Sequence, residues 1–307
     1  MFGYTVRRVL NSVPTLLIIV TIAFFMVRLA PGGPFDAERS LPPEIEQNLA
    51  KAYHLDESLL AQYGRYIGNL LQGDFGPSFK YRDRSVTELI GIGFPVSLRL
   101  GVAAIAIALV LGSFLGSVAA LRQNSGVDFG IMTTAMLGIA IPGFVIAPLL
   151  SLVFGVYLNW LPAGGWNDGA LANMVLPVIA LALPQVAVIA RLTRGSMIEV
   201  LHTDYIRTAY AKGMPQRIVL FRHALRSALM PVVSYLGPAT AGIVTGSVVI
   251  EQIFGIPGIG RFFIQGALNR DYTLVTGVVV FYGALLIAAN LIVDLIYGWL
   301  DPRVRYD

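Results

Sequence analysis

The chain contains no cysteine in 307 residues. That excludes a disulfide framework, a zinc–thiolate site, an iron–sulfur cluster and a thiol nucleophile. Charge is scarce as well: Asp, Glu, Lys and Arg together make up 13%, against ~25% in ordinary globular domains. Only three lysines occur, Lys51, Lys80 and Lys212. They are too few to line a nucleic-acid groove, and none follows a glycine, as the phosphate-cradling P-loop requires. No dinucleotide-binding glycine fingerprint opens a strand–helix unit either. What stands in place of charge is apolar: 56% of the residues are hydrophobic and the mean hydropathy is +0.70. A water-soluble fold of this composition would expose large apolar patches. The net charge of +4 therefore reports basic loops beside a lipid membrane rather than a phosphate-binding surface.

A spanning helix needs about 20 mostly apolar residues. Six stretches qualify: 9–27, 96–121, 129–158, 171–190, 228–250 and 273–297. The first exceeds the ~7–15 apolar residues of a signal peptide and is followed by RLAPGGPF without a small-x-small cleavage site, so it reads as a retained helix. Residues 30–95 carry charges of both signs and turn dipeptides, with a helix expected over Pro43–Leu71 and a stop at Gly73. The third stretch is free of charge but holds Pro142 and Pro148, so it is one kinked crossing or two short ones. Basic residues choose between them. The 191–227 loop carries seven (Arg191, Arg194, Arg207, Lys212, Arg217, Arg222 and Arg226), the 159–170 loop none, and the 251–272 loop only Arg261 and Arg270. A single crossing puts the seven on the side of Arg7, Arg8, Arg122, Arg303 and Arg305, as the positive-inside bias demands. The expectation is an all-α polytopic membrane protein with six transmembrane helices and both termini cytoplasmic. It divides into 1–29, an external segment 30–95, and a core 96–307 holding the cytoplasmic loop 191–227.

No ionisable residue lies in the middle of these stretches; Arg99 and Asp294 sit near their ends. Proteins that move ions unaided keep such groups at the midplane, so uphill transport here draws its energy from another chain. Gln185 and Asn290 are the deepest strongly polar side chains. They serve helix–helix hydrogen bonding, or they line a translocation path. Glu199 and His202 have helical metal-pair spacing but lack a second pair, and no metal site is expected. The Gly–Ser pairs of the spans lack an intramembrane base for serine chemistry.

Residues 204–213 read DYIRTAYAKG, about two helical turns with Asp204 as N-cap and Gly213 just past the end. At 100° per residue Tyr205, Ile206, Ala209 and Tyr210 share an apolar arc, while Arg207, Thr208, Ala211 and Lys212 take the other side. So short a helix is marginal alone, so the arc must bury against the membrane interface or a partner's groove. A second helix starts near Pro215 and leads into the fifth span. In the 251–272 loop, Gly255, Ile256, Pro257, Gly258, Ile259 and Gly260 form a turn. It is either an outward finger or a cap on the fifth span.

These segments carry a family resemblance. RTAYAKG at 207–213 followed by HALRSALMP at 223–231 resembles the coupling loop of binding-protein-dependent ABC import permeases in its peptide-permease form. The general pattern begins Glu-Ala-Ala; here Arg207 and Thr208 replace its first two residues, while Ala209, Gly213 and Leu225 match. GDFGPSFKYRD at 73–83, RLTRGSMIEVL at 191–201, FGIPGIGRF at 254–262 and GALNRDY at 266–272 point the same way. Together they resemble the B-type permease of bacterial oligopeptide ABC importers. The resemblance implies a type I ABC importer permease fold in the bacterial cytoplasmic membrane, with no cofactor and no catalysis of its own. Its implied partners are a second homologous permease, two cytoplasmic ATPases and an external peptide-binding protein. Tyr205, Ile206, Arg207, Ala209, Lys212 and Gly213 would enter an ATPase groove, and residues 255–260 would face the binding protein. The 73–83 segment favours the oligopeptide branch. Dipeptide, murein-peptide, glutathione and nickel permeases share the architecture, and a channel or scaffold docking a non-ATPase partner is the reading from another class.

Overall fold

The computed structural model describes residues 2–30, 51, 53–81 and 83–300. In chain order the helices are α1 (Phe2–Leu29), α2 (Leu59–Leu71), α3 (Val86–Leu121), α4 (Gly126–Ala140), α5 (Gly143–Leu150, prolonged by a π-helical turn over Ser151–Tyr157), α6 (Leu171–Leu201) and α7 (Asp204–Ala211). A helical run over Gln216–Ile218, Val219–Ala224 and Leu225–Ala228 then leads into α8 (Met230–Phe254), α9 (Ile259–Leu268) and α10 (Tyr272–Leu300). Among the described residues the only β pairing is an isolated bridge between Pro77 and Ser85.

Local chemistry explains the boundaries. Ser85 and Glu88 form a capping box at the start of α3: the Ser85 hydroxyl accepts from Glu88 N at 3.1 Å, and the Glu88 carboxylate accepts from Ser85 N at 3.3 Å. This starts α3 well before the apolar window at 96 and carries it through Pro95. Ser58 starts α2 at Leu59; most of the longer helix expected from Pro43 lies outside the described residues. α6 runs on to Leu201, so Arg191 and Arg194 are helical rather than loop residues. α8 runs to Phe254 and so takes in Glu251, which the apolar window excluded.

The densest packing joins α3 to α6. A Cβ at Gly116 would lie 2.4 Å from Ala190 O, and one at Gly112 would lie 2.8 Å from the Ile189 side chain. Close approach at small residues is how helices gain dispersion energy where lipid removes the hydrophobic drive. α1 lies along α10, with Val20 and Phe24 meeting Val280, and Tyr66 of α2 closing the same cluster.

Among the described residues five helices are long and apolar enough to cross a membrane, and α4 with α5 makes a sixth if the pair, bent by 101°, is one span. The break falls at Ile141 and Pro142, both extended, where proline removes a helical donor and biases its predecessor away from the helix. Hydrogen bonds show where the two limbs lead. Asp128, in the first turn of α4, pairs with Arg194 near the C-terminal end of α6. Beyond α5, Ser151 Oγ donates to Ala163 O at 2.6 Å, Gly165 N donates to Phe254 O at 2.7 Å, and Asn173 Nδ2, near the N-terminal end of α6, donates to Gly164 O at 3.1 Å. The bent pair thus begins at one end of α6 and finishes at the other. It crosses once.

Candidate functional site

α7 is capped differently from the sequence expectation. Thr203, with extended backbone, is the N-cap, and its hydroxyl donates to Val200 O at 2.6 Å rather than capping. Asp204 instead occupies the first turn, where the helix dipole favours an anion. Gly213, at φ +73°, closes the helix with its N–H donating to Tyr210 O at 2.9 Å.

The apolar arc also has a different destination. Ile206 is 0% and Ala209 4% exposed. Both are buried against this chain's own Ala120, Met197, Val219, Ala224 and Ala228. Of the four arc residues only Ile206 and Ala209 are buried, and the run 216–228 folds back to cover these two, so neither needs a membrane interface or a partner's groove. Tyr205 and Tyr210, at the arc's edges, stay 46% and 43% exposed, beside exposed Arg207, Lys212 and Gly213. The Tyr205 hydroxyl donates to Ser227 Oγ at 3.2 Å. The segment is a knob held rigidly under α6 and continuous, through 216–228, with α8.

The 255–260 turn points inward. Gly255, in the left-handed region at φ +67°, ends α8. Ile256 and Ile259 are fully buried, and Gly258 and Gly260 are buried with them. A Cβ at Gly260 would lie 2.3 Å from Val248 Cα. The turn's apolar side chains thus fill the interior, as a cap on α8 does, while Gly255 stays exposed. Residues 267–270, further on, are exposed as well.

The sequence reading missed Glu251. It is fully buried, and its Oε2 accepts from Gly260 N at 2.8 Å, while Ile259 N donates to Ser97 Oγ of α3 at 3.0 Å. Glu251 thereby clasps the turn to the end of α8. Its Oε1 and the Tyr282 hydroxyl meet no hydrogen-bond partner among the described residues. The available signal was a carboxylate nine residues before a glycine, across a Gly–Ile–Pro–Gly reversal.

Two segments cited separately in the sequence form one surface. Asp271 is buried; its Oδ2 accepts from Ser78 Oγ at 2.5 Å and Lys80 N at 3.2 Å, and its Oδ1 caps α10 by accepting from Leu274 N at 3.1 Å. The Tyr81 hydroxyl donates to Gln265 Oε1. Burial pushes its pKa up, which keeps it a donor. Gln185 accepts from the Tyr235 hydroxyl at 2.9 Å, a bond between α6 and α8. It borders a hollow of about 260 Å³ shared with Gly143, Phe144 and Pro184. Asn290 lines a different hollow of about 240 Å³ with Asn11, Thr15 and Asp294. The structure does not bring the two together.

The fold is that of a multi-pass α-helical membrane protein, with a basic knob at one end of α6 and the clasp built on Asp271 at the other. The chain belongs to the family of binding-protein-dependent transport system inner membrane components, which it matches over residues 108–306. It is 55% identical over 306 residues to the oligopeptide transport system permease protein OppB of Escherichia coli (strain K12), covering 100% of each chain. To the dipeptide transport system permease protein DppB of Bacillus subtilis (strain 168) it is 46% identical over 305 residues, covering 99% of this chain and 98% of that one. Among solved structures an amino acid ABC transporter shares the fold, with TM-score 0.52 and 17% identity over 71% of this chain and 95% of that chain. The protein is thus a non-catalytic, multi-pass inner-membrane component of a binding-protein-dependent transporter.

Proposed function

We propose that the protein forms half of the translocation path of an ATP-driven oligopeptide importer. The observation that carries the substrate is end-to-end identity of 55% to an oligopeptide permease, against 46% to a dipeptide permease. Its partners in this reading are a second permease, two ATPases and an external peptide-binding protein.

Orientation follows from charge. Arg207, Lys212, Arg217, Arg222 and Arg226 lie between α6 and α8, and Arg122 lies at the same end, while 158–170 holds no basic residue. The α7 end, and with it both termini, faces the cytoplasm. There Tyr205, Arg207, Tyr210, Lys212 and the Gly213 turn meet an ATPase, while Ile206 and Ala209 fasten the knob to α6. Movement of the ATPase pair is delivered to α6 by packing and to α8 by continuity of the chain. At the outer end the clasp built on Asp271, with residues 267–270, meets the binding protein, and the 255–260 turn supports it from within. Gln185 and Asn290 are the deepest polar groups offered to a passing peptide.

The test is reconstitution with the co-expressed partners in liposomes, supplying binding protein loaded with a labelled pentapeptide. ATP-dependent accumulation is expected. Accumulation without ATP, or transport of nickel in place of peptide, would refute the proposal.

A further inference from the structure

One ion pair, between a buried carboxylate and a half-buried guanidinium, has no part in that reading. Asp128 is 2% exposed. Arg194, about two turns before the end of α6, donates Nε to Oδ1 and Nη2 to Oδ2, each at 2.6 Å. A forked pair of this kind fixes direction as well as distance. The chain closes around the acid: Asn124 N donates to Asp128 Oδ2 at 2.9 Å, and Asp128 N donates to Ser125 Oγ at 3.4 Å. The carboxylate therefore ties the first turn of α4, and the reversal before it, to one point on α6.

α4 also touches α6 at Gly138, where a Cβ would lie 3.4 Å from Leu183 O and 3.5 Å from the Ala187 side chain. Among its described residues Asp128 is the one that is buried. Between α4 and the α3–α6 pair lies an apolar hollow of about 420 Å³, bordered by Leu111, Gly130, Thr134, Val186 and Ala187. α4 is thus tied to α6 by charge at its start and by close approach at Gly138, with the hollow between these two points. At its far end it meets the 101° break at Pro142. On α6, Met197 lies one turn from Arg194 and belongs to the buried cluster that holds Ile206, Ala209 and Val219. Knob, α6 end, ion pair and broken span form a contiguous series.

The geometry points to Arg194 and Asp128 as positioning residues that transmit displacement of the coupling knob into the broken span, which then pivots at Pro142. This rests on the reading of 204–228 as the ATPase contact. A small-residue contact such as that at Gly138 can slide under such a displacement, whereas a forked ion pair fixes direction and distance and drags the start of α4 along.

The experiment uses the full transporter in liposomes and measures peptide molecules imported per ATP hydrolysed. The double variant Asp128→Ala/Arg194→Ala strands no buried charge and so removes the link without the penalty of a broken pair. Expected are co-purification of the ATPase pair, binding-protein-stimulated hydrolysis within about twofold of wild type, and import per ATP reduced tenfold or more. Should the double variant fail to accumulate, Arg194→Lys, which keeps the charge without the fork, gives a loss of about threefold in the same ratio. Wild-type import per ATP in an assembled variant would overturn the proposal and leave the pair a packing feature. Failure of the wild-type chain to retain the ATPases would overturn the docking reading, and this inference with it.

Discussion

Residue by residue, the C-terminal end of α8 tolerates little change. Glu251 accepts from Gly260 N at 2.8 Å inside the protein, so Glu251→Leu strands that donor at a cost of about 1–3 kcal/mol. Glu251→Gln retains an acceptor and should unfold near the wild-type temperature. Gly260→Ala sets a methyl 2.3 Å from Val248 Cα, a backbone atom that cannot swing aside, and should cost about 1–3 kcal/mol. Gly64→Ala, on the exposed face of α2 with nothing within 4 Å of the new carbon, should instead stabilise by about 0.5–1 kcal/mol through helix propensity. Thermal unfolding of the purified protein in detergent ranks all four. A Gly260→Ala protein as stable as Gly64→Ala would show that the turn is looser than the close contacts require.

At the scale of an element, the α7 knob shows what a sequence carries and what it withholds. Its length, its apolar arc and its terminal glycine were legible from periodicity and from the left-handed preference at Gly213. The partner of that arc was not, because Val219, Ala224 and Ala228 reach it only once 216–228 folds back, a tertiary event that leaves no local pattern. The same limit hid Glu251: hydropathy ended the span one residue short of it, and only the reversed turn gives it a donor. For 255–260, glycine and proline announced a turn but not its direction, which burial of Ile256 and Ile259 decides. The knob's two faces therefore respond differently to substitution. Ala209→Asp buries a charge within the chain's own cluster, at several kcal/mol unless paired, and should lower the amount of folded protein in the membrane. Tyr210→Ala with Arg207→Glu alters only exposed side chains; abundance should stay unchanged while ATPase retained on purification falls several-fold. Immunoblots of membranes and of the purified complex separate the two outcomes, and equal ATPase retention by the exposed-face variant would remove α7 from the contact.

For the whole molecule, the decisive question is how many times the chain crosses, because one miscounted span would exchange the two functional ends. Charge and geometry reach the same answer independently. Basic residues gather between α6 and α8 and at Arg122, while the hydrogen bonds of Asp128 and Ser151 set the two limbs of the bent pair at opposite ends of α6. If the bent pair were instead a re-entrant loop, 158–170 would share a side with Arg122, and α7 would face outward with its five basic neighbours, against the bias that sets topology. The absence of native cysteine makes this measurable with single replacements at exposed positions. In intact spheroplasts an impermeant maleimide should label Gln72→Cys, Leu158→Cys and Asn269→Cys at once. Gln123→Cys and Lys212→Cys should react only after the membrane is opened. Labelling of Leu158→Cys together with Gln123→Cys after permeabilisation alone would make the bent pair re-entrant. It would also move the knob away from any cytoplasmic ATPase, so the count of crossings and the coupling function stand or fall together.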